Sequence, residues 1–164
     1  MRDDVIGFLD AVGIDRCVLI GHSMGGIVSA LVAEAVPDRL TRLVLEGQRP
    51  AQAGSLRPAR RNAPEPPPAT LDWAVVHMVD DQLNDPDPAW WADAGTVDVP
   101  TLVVAGGPGS SVPQHLLTEL ADQMPDATLV TIASGHDVHA ARPAEFLAEV
   151  RRFLRARPRQ AAAT

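Results

Sequence analysis

The stretch Val18-Leu19-Ile20-Gly21-His22-Ser23-Met24-Gly25-Gly26 constrains the fold more than any other part of the chain. An apolar run meets a glycine, a serine stands two residues further on, and small apolar residues follow to position 36. That order predicts a buried strand, a sharp turn and a helix packed closely on a sheet. Such a turn lifts Ser23 above the sheet in a strained conformation. A side chain at Gly21 or Gly25 is expected to clash where strand and helix nearly touch, and Gly26 gives the same latitude. A serine hydroxyl is a weak nucleophile until a base removes its proton and the backbone exposes it. The turn also places the Met24 N–H at a helix start, where it suits an oxyanion. The plainer alternative is an ordinary glycine-rich connection.

Around this motif, strands alternate with helices. Val5, Ile6, Leu9 and Val12 recur at helical spacing before Gly13. After the helix at 24–36, which Pro37 ends, "LTRLVLEG" (40–47) reads as a second strand. "TLVVAGG" (101–107) and "ATLVTIAS" (127–134) read as a third and a fourth, and "PQHLLTELADQM" (113–124) as a helix between them. Phe146, Leu147, Val150, Phe153 and Leu154 mark one face of a last helix. The pattern predicts an α/β fold, a mainly parallel sheet covered on both faces in a three-layer sandwich. One domain over 1–164 is expected, with residues 48–95 as a cap and 158–164 as a disordered tail. The cap is short, with a proline-rich part ("PEPPP", 64–68) and a helical part ("LDWAVVHMVDDQL", 71–83).

A net charge of −7 argues against nucleic acid as a partner. The N-terminus is acidic and amphipathic, unlike a secretory signal, and no apolar run has the length of a membrane span. A cytoplasmic protein with no membrane association is expected. Cys17 is the single cysteine and reads as a small buried thiol. The five histidines show no metal-site spacing, so neither metal nor cofactor is expected.

Three segments together resemble the α/β-hydrolase fold family, in its serine hydrolase branch. "LIGHSMGG" is similar to that family's nucleophile elbow. "ASGHDVHAARPAEFLAEVRRFL" (133–154) resembles its closing histidine segment, and "PTLVVAGGPGSSVP" (100–113) the strand and loop between them. The resemblance implies Ser23 as nucleophile, His136 as general base and Met24 as oxyanion donor. It implies hydrolysis through an acyl-enzyme. His139 is expected beside the site or capping the last helix, and His22 to pack or hydrogen-bond.

The chain departs from the family pattern in two respects. The family usually places its acid in the loop after the strand matching 101–107, where Gly109 stands here, or after the preceding strand, where Gly47 stands. Glu46 is the nearest substitute, although strand alternation directs it to the face opposite position 47. Asp137 adjoins His136 too closely to orient it. The chain also starts at the helix before the elbow strand, so the reading is of a fold lacking its N-terminal strands. The "CVLI" strand then becomes an apolar edge, open to a second copy or a partner chain.

Trp73, Trp90 and Trp91 suit the wall of an apolar pocket for a small hydrophobic ester or related acyl substrate, or equally an anchor for the cap. A serine nucleophile disfavours the epoxide-hydrolase and haloalkane-dehalogenase branches. Perhydrolase, thioesterase and carbon–carbon hydrolase chemistry remain open. The alternative function is a catalytically impaired fragment or a non-catalytic binding module of the same fold.

Overall fold

The computed structural model describes residues 1–48, 65–66, 72–85 and 94–156. The chain divides into two compact units, residues 1–50 with 93–164 and residues 51–92, taken separately below. Trp90, Trp91, nearly all of the proline-rich stretch and the tail from 157 lie outside the described residues.

The first unit is built on a parallel sheet of β1 (Cys17–His22), β2 (Leu40–Glu46), β3 (Thr101–Ala105) and β4 (Ala127–Thr131), in that spatial order. Its helices are α1 (Arg2–Ala11), α2 (Met24–Ala35), α4 (Gln114–Gln123), α5 (Val138–Ala141) and α6 (Pro143–Arg155). Helix α3 (Trp73–Asn84) belongs to the second unit. It is capped by Asp72, whose carboxylate accepts the Ala74 N–H at 2.9 Å.

Alternation along the strands divides the core. Val44, Leu102, Val104 and Val130 face Val138 of α5 and Phe146, Val150 and Phe153 of α6. Val103, Ala105 and Leu129 point the other way, toward Leu117 and Ala121 of α4. Helix α2 covers β1 and β2 on that second side, because Gly21 and Leu45 are register partners and Gly21 abuts α2. Every residue of β3 is buried, as its unbroken apolar run requires between two helical layers.

The strands stop short of the stretches read from sequence. β3 ends at Ala105 because Gly106 and Gly107 leave the sheet, Gly107 at φ +74°. β4 ends at Thr131, before the turn through Gly135 at φ +91°. On α6 only Phe146 and Val150 are buried, whereas Leu147 and Leu154 stand exposed at the rim. Cys17 is half-buried. No described helix is long and apolar enough to cross a membrane.

Candidate active site

β1 delivers Ser23 to the C-terminal edge of the sheet. Ser23 adopts φ 54° and ψ −120°, the only positive φ outside glycine among the described residues. Its N–H donates to the Glu46 carbonyl at 2.8 Å, which ties the turn to the end of β2. Helix α2 starts at the next residue, so the Met24 N–H is the first amide of the helix, a position with no carbonyl one turn before it to accept its hydrogen.

The glycine requirement is sharper than the motif suggests. A methyl group at Gly21 would lie 2.3 Å from the Gly25 carbonyl oxygen, and one at Gly26 2.9 Å from Cβ of Gln48. At Gly25 it would meet nothing within 4 Å. Gly25 contributes a carbonyl that must pass close to Gly21, so the clash expected of its own side chain does not arise.

His136 arrives on the loop after β4. The Ser134 and Gly135 N–H groups both donate to the Gly106 carbonyl at 3.0 Å. The loops approach so closely that a methyl group at Gly106 would fall 1.7 Å from the Gly135 oxygen. This contact sets the imidazole over the elbow, with Nε2 2.9 Å from Ser23 Oγ.

The other imidazole nitrogen has no such support. His136 Nδ1 is buried and has no hydrogen-bond partner among the described residues. To accept the serine proton at Nε2, the ring must carry its own proton on Nδ1. An unmet buried donor there costs about 1–3 kcal/mol. Of the two glycines in question, Gly47 faces this nitrogen: a methyl group on it would lie 3.2 Å from Nδ1. Gly109 instead lies against the Gly135 backbone.

Glu46 is engaged elsewhere. Its carboxylate, 1% exposed, accepts the His139 backbone N–H at 2.9 Å and His139 Nδ1–H at 2.9 and 3.0 Å. No hydrogen bond joins it to His136 among the described residues. The cause is strand alternation, which turns position 46 to the α5–α6 face. There its register partner on β1 is His22. The His22 ring lies 4.9 Å from those of both His136 and His139. Its Nε2 contacts the His136 carbonyl at 3.3 Å and Asp137 Oδ1 at 3.2 Å. Asp137 thus faces His22.

Sequence spacing did not reveal this second cluster. The potential ligand atoms of His22, Glu46 and His139 all lie within 4.8 Å of one another, as do those of His22, His136 and Asp137. The available signal was register: "LIGH" and "LVLE" end side by side on neighbouring parallel strands.

A family model described as "Alpha/beta hydrolase family" matches residues 1–150. The chain is 27% identical to the esterase YbfF of Escherichia coli over 186 residues, 94% of this chain and 73% of that protein. Among solved structures, it is similar to Est816, described as an N-acyl homoserine lactone degrading enzyme, with 25% identity and a TM-score of 0.70. That match covers 93% of this chain and 73% of the other. The enol-lactonase of Burkholderia xenovorans shares the fold at 22% identity, with a TM-score of 0.71, over 94% of this chain and 72% of its own. A hydrolase structure from Thermoplasma acidophilum matches 94% of this chain but is itself covered only to 57%.

Proposed function

The chain belongs to the alpha/beta hydrolase family, and from that premise we propose that it is a serine hydrolase acting on a small hydrophobic ester or related acyl compound. The observation that carries this reading is the 2.9 Å approach of His136 Nε2 to Ser23 Oγ, on a serine held at positive φ. In the proposed reaction, Ser23 Oγ attacks the acyl carbonyl while His136 takes its proton. The Met24 N–H stabilises the oxyanion, and His136 returns the proton to the leaving group. Water, activated by the same imidazole, then releases the acid from the acyl-enzyme. Esters, carbamates and lactones in the names of similar proteins are all acyl compounds, which supports the class of bond. The proposed place of action is the cytoplasm.

Glu46 takes a different part from a triad acid. Held by His139, it anchors the loop that carries His136 and does not touch the base. With no carboxylate on His136 among the described residues, the rate should be low: loss of the carboxylate behind a catalytic histidine costs about four orders of magnitude.

His136 Nδ1, without a partner among the described residues, favours a second reading, a non-catalytic module that binds acyl compounds in the same place. A fluorophosphonate probe separates the two. Covalent labelling that disappears in Ser23→Ala supports the enzyme. A folded, monodisperse protein that never labels would leave only the binding module.

A further inference from the structure

The cluster beneath the elbow has a chemistry that neither the serine nor the base uses. Glu46 is a carboxylate at 1% exposure whose only ion-pair partner among the described residues is His139. A buried carboxylate calls for a compensating cation. Two imidazoles and a carboxylate are a donor set for zinc and its first-row neighbours.

The spacing also fits. His139 Nδ1 lies 2.9 and 3.0 Å from the two carboxylate oxygens. Adjacent ligands on an ion with bonds of about 2.1 Å stand roughly 3.0–3.4 Å apart. Glu46 Oε1 is fixed by the His139 N–H, which orients the carboxylate and leaves Oε2 to ligate. The third ligand, His22, is the register partner of Glu46, so two parallel strands hold two of the three ligands. The His139 side chain is 46% exposed and gives an entry path, with solvent to complete the coordination.

We propose that His22, Glu46 and His139 form a binding site for a divalent first-row transition-metal ion of the zinc type. As the ion binds, the proton on His139 Nδ1 leaves to solvent, and Nδ1, Glu46 Oε2 and one His22 ring nitrogen become ligands. The second cluster, His22 with His136 and Asp137, is the weaker candidate. Asp137 is 63% exposed, His136 Nε2 faces Ser23, and His136 Nδ1 is buried. His22 also touches the His136 carbonyl, so the ion and the loop carrying the base share one ring. Where the protein hydrolyses acyl substrates as proposed above, the ion therefore acts as an inhibitor.

The test is titration of the untagged, metal-free protein with Co2+, followed by visible d–d absorption, and with Zn2+ by calorimetry. One ion per chain is expected, with cobalt bands of nitrogen–oxygen coordination. His139→Ala, at an exposed position, should keep the fold and weaken binding at least about tenfold. Glu46→Gln should do the same. Asp137→Asn, His115→Ala and Ser23→Ala should bind as the parent does. No cobalt spectrum at high micromolar concentration, or a spectrum unchanged in His139→Ala, would overturn the site. Loss in Asp137→Asn with retention in His139→Ala would overturn it in favour of the other cluster. These readouts need no turnover, so an inactive protein refutes the hydrolase reading and leaves the metal site standing. In a labelling-competent protein, Zn2+ should slow fluorophosphonate reaction in the parent and not in His139→Ala.

Discussion

At the scale of single residues, the site depends on where a Cβ is forbidden. Gly21→Ala drives a methyl group to 2.3 Å from a backbone oxygen, so strand and helix must part. The expected result is a protein that loses most of its stability in urea denaturation and does not label with the probe. Gly25→Ala meets nothing and removes a glycine from a helix, so stability should be kept or rise by up to about 1 kcal/mol. Equal effects from the two substitutions would contradict the elbow described here. Gly47→Ala is the more informative change for chemistry. Gly47 sits at φ +54°, and a methyl group there lies 3.2 Å from three atoms of His136. We expect a cost of about 1–2 kcal/mol from strain, measured by urea denaturation. We also expect a larger proportional fall in labelling rate as the imidazole is displaced; an unchanged rate would separate Gly47 from the base. The sequence made Ser23, His136 and the two acid-position glycines legible, because a motif is a local pattern. It did not show that Gly47, not Gly109, is the glycine against the imidazole, which follows from how two loops fold onto each other.

At the scale of elements, the loop that carries His136 is held by a connection between the end of β2 and the start of α5. The buried Glu46 carboxylate receives the His139 N–H, three residues beyond His136. Removing it by Glu46→Ala, under metal-free conditions, should cost about 1.5–3 kcal/mol, since the carboxylate holds hydrogen bonds of a charged group. His139→Ala keeps the backbone donor and, because the His139 side chain is half-exposed, opens the carboxylate to water, so its cost should be the smaller. Both are read from urea midpoints, and a cost for Glu46→Ala below that of His139→Ala would contradict the backbone anchor. Strand alternation already directed Glu46 away from position 47, and the structure supplies its destination. The identity of that partner was not legible, because no distance along the chain relates 46 to 139. The helices were read well where their apolar spacing was regular. Strand ends were overrun because glycines after β3 and small residues after β4 continue an apolar pattern past the last ladder bond.

At the scale of the whole chain, the sheet has an unusual edge. β1 ends the order β1-β2-β3-β4, and its side chains Val18 and Ile20 are 39% and 49% exposed. Both point to the face that α6 covers over β2, β3 and β4. Phe8 and Val12 of α1 are exposed as well. An apolar strand with unpaired backbone groups on one side favours pairing with another chain. The ladder shows β1 paired on one side only among the described residues, which the apolar run "CVLI" by itself does not reveal. Light scattering over a concentration series should therefore report self-association, with mass rising as the protein is concentrated. Ile20→Lys places a charge on this surface without touching the core, so it should lower the association at unchanged urea stability. Should the parent remain a well-folded monomer at every concentration, the edge is not an interface between copies. If Ile20→Lys associates as strongly as the parent, the contact lies elsewhere, and the exposed face of α1 becomes the next surface to substitute.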